Sequence, residues 1–76
     1  MAVKRPYAPV RAEMFGQVVA INVENGQHVN EGDSVLTMEA MKMFMDIEAP
    51  LAGEVEIMVG LNTIVNKGDV VAKIYP

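Results

Sequence analysis

The sequence predicts an all-β fold, a flattened sandwich of two sheets with an internal twofold, and three observations carry that prediction. First, the 76-residue chain repeats itself: Asn30-Glu31-Gly32-Asp33-Ser34-Val35 lies over Asn66-Lys67-Gly68-Asp69-Val70-Val71. At the same offset Val29, Val23 and Ile21 fall on Val65, Val59 and Ile57; one residue further apart, Gly16 falls on Gly53 and Ala12 on Ala49. Second, apolar residues recur at period two within each copy, the signature of a half-buried strand. Third, Gly-Asp turns punctuate both copies at matching points. Neither unit can bury its apolar face alone, and folding one over the other about a pseudo-twofold axis buries both.

Strands are expected over 7–10, 16–23, 28–29, 34–39, 43–48, 53–59, 64–65 and 70–75. In the second, Val19, Ile21 and Val23 alternate with Ala20 and Asn22, which sends the first three inward. Gly26 ends that segment and aligns with Asn62; Gly and Asn accept positive φ most readily, so both copies should turn there in one conformation. The short third strand leads into the first Gly-Asp turn. Leu36, Met38 and Ala40 alternate through the fourth, and Met41, Met43, Met45 and Ile47 through the fifth, leaving Lys42, Phe44, Asp46 and Glu48 on the other face. The sixth repeats the second, with Val55, Ile57 and Val59 inward against Glu56 and Met58. The seventh and eighth repeat the third and fourth, with Ala72 and Ile74 standing where Leu36 and Met38 stand. One domain over 1–76, with a compact core of about 8–75, accounts for the chain.

Composition narrows function. Half the residues are hydrophobic but only two Phe and two Tyr are present, so the core is small and aliphatic and leaves little room for a catalytic cleft. Without Cys there is no disulfide framework, thiolate metal site or Cys nucleophile, which fits a reducing compartment and sets the cytoplasm as the expected location. The first ten residues read as neither signal peptide nor membrane anchor, so the mature chain is expected to begin near Met1. Formal net charge is −4 and the basic residues are scattered, so no nucleic acid partner is expected. No membrane insertion is expected either. No metal site is foreseen, and neither a phosphate-binding loop nor a nucleophile–base pair is recognisable.

The stretch from Thr37 to Pro50, TMEAMKMFMDIEAP, is rich in helix formers yet lies between strands. The repeat decides for strand, since Leu36 and Met38 align with Ala72 and Ile74, and tertiary pairing overrides propensity. A hairpin must then reverse the chain between Met38 and Met45, with Ala40-Met41-Lys42-Met43 at its middle and no Gly or Asn to ease the turn. Tight turns push a side chain outward, and Lys42 is the polar group available there. Met41 and Met43 are free to cover the sheet or to present soft apolar surface to a partner.

Glu39-Ala40-Met41-Lys42-Met43, set between the NEGD and NKGD turns and followed by EAPLAG, resembles the attachment motif of biotin carboxyl carrier domains over nearly the whole chain. The resemblance implies a barrel-sandwich hybrid of two four-stranded antiparallel sheets, with biotin joined covalently to the Lys42 ε-nitrogen and Glu39, Ala40, Met41 and Met43 as flanking recognition residues. It implies a biotin protein ligase that attaches biotin by way of an adenylate made from ATP. It also implies a biotin carboxylase that loads the carboxyl group and a carboxyltransferase that unloads it. The chain itself would be a carrier with no catalytic residue, monomeric as an isolated domain. Lysine amines in water are almost wholly protonated at neutral pH, so the ligase must supply the deprotonated nucleophile.

A lipoyl domain shares the fold and the hairpin lysine but typically flanks it with Asp and Ala, whereas Met41 and Met43 stand here. An unmodified interaction module of the same fold is the reading from another class; it is expected inside longer, heptad-bearing chains. Glu13 replaces a proline common in the family, which bears on the bend before the second strand. The near-equal Gly16-to-Gly32 and Gly53-to-Gly68 spacings leave no room for the protruding thumb of some acetyl-CoA carboxylase carriers, and favour propionyl-CoA, pyruvate or decarboxylase-type systems. His28 is read as a half-buried strand histidine, because its repeat partner is Ile64 and no second ligand is at hand. Apart from Met41 and Met43, the methionines after Met1 are expected to pack the core.

Overall fold

A computed structural model describes residues 5–76 as eight strands with no helix: β1 Ala8–Arg11, β2 Gly16–Ile21, β3 His28–Val29, β4 Ser34–Ala40, β5 Met43–Glu48, β6 Gly53–Ile57, β7 Ile64–Val65 and β8 Val70–Tyr75. They form two four-stranded antiparallel sheets, ordered β1-β8-β6-β3 and β5-β4-β2-β7. The second order becomes the first when each strand is replaced by its repeat mate, so one sheet is built twice. Registers repeat as well: Gly16 pairs with Val65 as Gly53 pairs with Val29, and Gln17 pairs with Glu39 as Glu54 pairs with Tyr75. Each sheet draws strands from both copies, which is how each copy buries the other's apolar face. The expected boundary at Met1 lies outside the described residues.

The repeated turns match bond for bond. Asn30 N–H donates to Asp33 Oδ2 at 2.8 Å and Asn66 N–H to Asp69 Oδ2 at 2.8 Å. Gly32 N–H donates to the Ala49 carbonyl at 2.9 Å, and Gly68 N–H to that of Ala12 at 2.8 Å. Gly32 and Gly68 have φ of 89° and 92° with open space where a Cβ would stand, so conformation and not room demands glycine. Gly26 and Asn62 share the left-handed conformation expected of them, with φ of 83° and 71°.

The core is aliphatic: Val18, Val29, Val35, Leu36, Met38, Ile47, Val55, Val71, Ala72 and Ile74 are buried, with Ile21, Val23, Ile57 and Val59 packed partly against them. Val18, not Val19, is the fully buried residue of β2. A register shift between Val18 and Ala20 against β4 marks a bulge, which reverses the inward–outward phase expected from simple alternation. Among the described methionines only Met38 lies in the buried core; Met45 packs against its edge and Met58 is exposed. His28 is exposed, not half-buried, since its residue faces out from the two-residue β3 at the end of its sheet.

Candidate functional site

The site is the β4–β5 hairpin. Ala40 pairs with Met43, so the loop is two residues long, and both of them have positive φ: Met41 at 52° and Lys42 at 64°. That is the type I′ arrangement, whose twist matches the flanking strands and which normally calls for Asn-Gly. Met and Lys hold it here at a cost of roughly 1 kcal/mol or more each. The strands below must enforce the turn, and the packing shows how. Ala40 is buried against Gly16 of β2; a Cβ on Gly16 would come within 2.5 Å of the Glu39 carbonyl oxygen and 3.2 Å of Ala40 Cβ. Small residues at 16 and 40 therefore let β2 close against the hairpin's base.

A polar brace on the outer face holds the same base. Thr37 Oγ1 donates to Asp46 Oδ1 at 2.9 Å across β4 and β5. Asn22 Nδ2 donates to Thr37 Oγ1 at 3.0 Å and to Ser34 Oγ at 2.8 Å.

Above this base the tip is bare. Met41 is 81% exposed and Met43 67%, and Lys42 is exposed with no ion pair or hydrogen bond among the described residues. The methionines therefore present apolar surface beside the amine and do not cover the sheet. Glu39 points outward one pair below the turn, between Gln17 and Phe44. Two surface depressions, one around Tyr7, Glu54 and Tyr75 and one around Glu13, Glu31 and Glu48, do not reach Met41, Lys42 or Met43. Among the described residues no three His, Asp or Glu are grouped to hold a metal. The arrangement offers a primary amine at the apex of a hairpin, with no ion-pair partner for it among the described residues.

Residues 8–74 match the family model described as biotin-requiring enzyme. The chain belongs to that family. It is 33% identical over 66 residues to the Biotinylated protein TB7.3 homolog of Mycobacterium leprae, covering 86% of this chain and 93% of that one. It is 47% identical over 51 residues to the mitochondrial methylcrotonoyl-CoA carboxylase subunit alpha of Oryza sativa subsp. japonica, covering 67% of this chain and 7% of the relative. Pyruvate carboxylase of Aspergillus niger is 42% identical over 66 residues, 86% of this chain and 6% of the enzyme. Among solved structures, Kluyveromyces lactis urea carboxylase superposes with a TM-score of 0.88 at 31% identity, covering 97% of this chain and 7% of that one. The chain thus spans less than a tenth of the length of these carboxylases and nearly all of the M. leprae protein. This is a domain of the kind that biotin-dependent carboxylases carry.

Glu39, Ala40, Met41, Lys42 and Met43 all lie within one hairpin, as the sequence implied. Sequence reasoning put Phe44 on the outer face but gave it no role. It also passed over Ile64, which register brings onto the same face through Gln17; Phe44 is 70% and Ile64 56% exposed. The missing signal was lateral: alternation tells in from out along a strand, but not which distant residues become neighbours.

Proposed function

We propose that the chain is a biotin carboxyl carrier, with biotin held as an amide on Lys42 and carried between a biotin carboxylase and a carboxyltransferase. The observation that carries this reading is the unpartnered Lys42 amine at the apex of a strained two-residue turn, inside Ala40-Met41-Lys42-Met43. A partner on Nζ would have to be displaced before acylation; among the described residues there is none. Once a ligase has removed its proton, Nζ attacks the activated carboxyl carbon of biotin, the C–N bond forms and the nucleotide leaves. When bound, the group supplies a ureido nitrogen able to carry carboxylate. Lys42 contributes its stem as a tether, the turn aims that stem away from the sheet, and the braced base keeps the stalk stiff.

The chain supplies no catalytic group of its own for loading or unloading, so those steps belong to partner enzymes. Incubation with a biotin protein ligase, biotin and ATP, followed by mass spectrometry, should give one adduct with the mass of biotin less water. Lys42→Arg should abolish both the adduct and avidin capture. Avidin capture of folded Lys42→Arg protein would overturn the assignment, and a lipoyl mass on protein from its native source would replace the cofactor.

A further inference from the structure

The chain has no Cys and seven Met, so methionine is where an oxidant finds sulfur. The fold sorts the described methionines by access. Met38 is fully buried in the core, where its repeat mate Ile74 fills the equivalent place without sulfur. Met14 and Met45 are half-buried, and Met58 is 44% exposed. Met41 at 81% and Met43 at 67% are the most open, and they stand on either side of Lys42. The turn is the cause. Met41 lies beyond the last pair of the β4–β5 ladder, at a φ of 52°, and Met43 closes that pair at the strand's outer end.

We infer that Met41 and Met43 form a reversible oxidation site that governs whether partner enzymes can use the Lys42 arm. The inference rests on the proposed attachment at Lys42. The co-substrate is a hydroperoxide. The thioether sulfur attacks one peroxide oxygen, the O–O bond breaks and an S–O bond forms; sulfur is oxidised to the sulfoxide, and hydrogen peroxide is reduced and leaves as water. Each event adds one oxygen and turns a soft apolar side chain into a polar one. A partner closing over the arm must then strip water from two S–O groups that its apolar contacts cannot satisfy. Position separates this switch from damage. The same oxygen on Met38 would put a polar group into the aliphatic core, whereas on Met41 and Met43, which bury little, it leaves the fold standing. Methionine sulfoxide reductases reverse the step, the oxygen leaving as water while two thiols become a disulfide; two such enzymes are needed, one for each sulfoxide epimer.

The test begins with unmodified wild type and Met41→Leu/Met43→Leu, each treated with hydrogen peroxide and then catalase. Peptide mass spectrometry follows oxygen at every methionine over time. Met41 and Met43 should gain theirs first, Met58 later, and Met38 about ten-fold or more slowly than the tip pair. The wild-type melting curve should not move when only the tip pair is oxidised. Both proteins are then biotinylated with purified ligase, so that biotin's own sulfur never meets peroxide, and assayed for carboxyl transfer with purified biotin carboxylase and carboxyltransferase. Oxidised wild type should transfer about ten-fold more slowly than untreated wild type, and the two reductases should restore it. The treated Leu variant should stay within about two-fold of the untreated Leu variant. Resistance of oxidised wild type to ligation, absent from the treated Leu variant, would show the same block one step earlier. Oxidation of Met58 as fast as the tip pair, undiminished transfer by oxidised wild type, or an equal loss in the Leu variant would overturn the site. Untreated wild type without an adduct on Lys42 would instead remove the functional reading; the order of oxidation, measured before any biotin is added, is independent of that result.

Discussion

Replacing Met41-Lys42 with Asn-Gly should make the domain more stable while destroying its site. The two residues sit at φ 52° and 64°, in a region that costs an ordinary L-residue roughly 1–2 kcal/mol. Asn tolerates that region and Gly occupies it without steric cost, so the pair relieves roughly 2 kcal/mol or more of turn strain. Against this, Gly loses more chain entropy on folding, about 1 kcal/mol. Little packing is lost, because Met41 is 81% exposed and Lys42 touches no ionic partner among the described residues. The net expectation is about 1 kcal/mol of added stability, which for a domain of this size raises Tm by about 4–8 °C. Unmodified wild type and the Met41→Asn/Lys42→Gly variant would be melted side by side and followed by far-ultraviolet circular dichroism. A variant that melts at or below wild type would show that the turn is not strained as its dihedral angles imply.

Other expectations follow from burial and charge. Leu36→Ala or Ile74→Ala, at fully buried positions, should each cost ~2–5 kcal/mol in urea unfolding; Ile57→Ala, only partly buried, should cost less, and an equal cost would contradict its place at the core's edge. Tyr75 donates to Glu56 Oε1 at 2.8 Å, and that hydrogen bond, with burial second, raises its pKa above the ordinary 10.0. The folded state therefore holds the phenolic proton more tightly than the unfolded chain, so this contribution to stability is complete below pH 10.0 and is lost as pH climbs through the raised value. In a Tyr7→Phe background, Glu56→Gln should move the phenol titration back toward 10.0; no movement would remove Glu56 as the cause. Met41→Leu/Met43→Leu should fold and accept biotin, since Leu and Met are close in volume. It should pass carboxyl groups more slowly, because a branched side chain adapts to fewer partner surfaces; equal rates on fully biotinylated protein would leave the methionines with no part in transfer.

Most of the fold was legible because the chain states it twice. The repeat locates every strand, aligns Gly26 with Asn62, which share positive φ, and overrules helix propensity at Glu39-Ala40-Met41-Lys42-Met43. What escaped was not periodic. The bulge between Val18 and Ala20 turns Val18 inward and leaves Val19 only partly buried, and no count of alternating residues reveals an inserted step. The strands expected over 16–23 and 53–59 end earlier for a related reason: the chain leaves each sheet after Ile21 and Ile57, yet Val23 and Val59 still pack against the core. Apolar alternation follows burial, and burial outlasts the ladder. Of the site, the motif and its turn could be read; the neighbours Gln17 and Ile64 could not, because cross-strand register depends on how the two copies interlock.

The same twofold explains how a small domain keeps a strained, bare hairpin without losing its fold. At the equivalent place in the other sheet, Tyr75 and Tyr7 are held by Arg5 and Lys73, and Tyr75 also bonds Glu56. That edge ties residues near the start of the described chain to its last strand. The hairpin edge needs no such tie, because β4 and β5 are already joined covalently through the turn. Its outer residues are thereby released from holding the chain together, and Lys42, Glu39 and Phe44 can face solvent where Arg5, Tyr75 and Tyr7 must face one another. Covalent continuity does at one end what cation–π contacts do at the other, and the residues set free are those that surround the lysine.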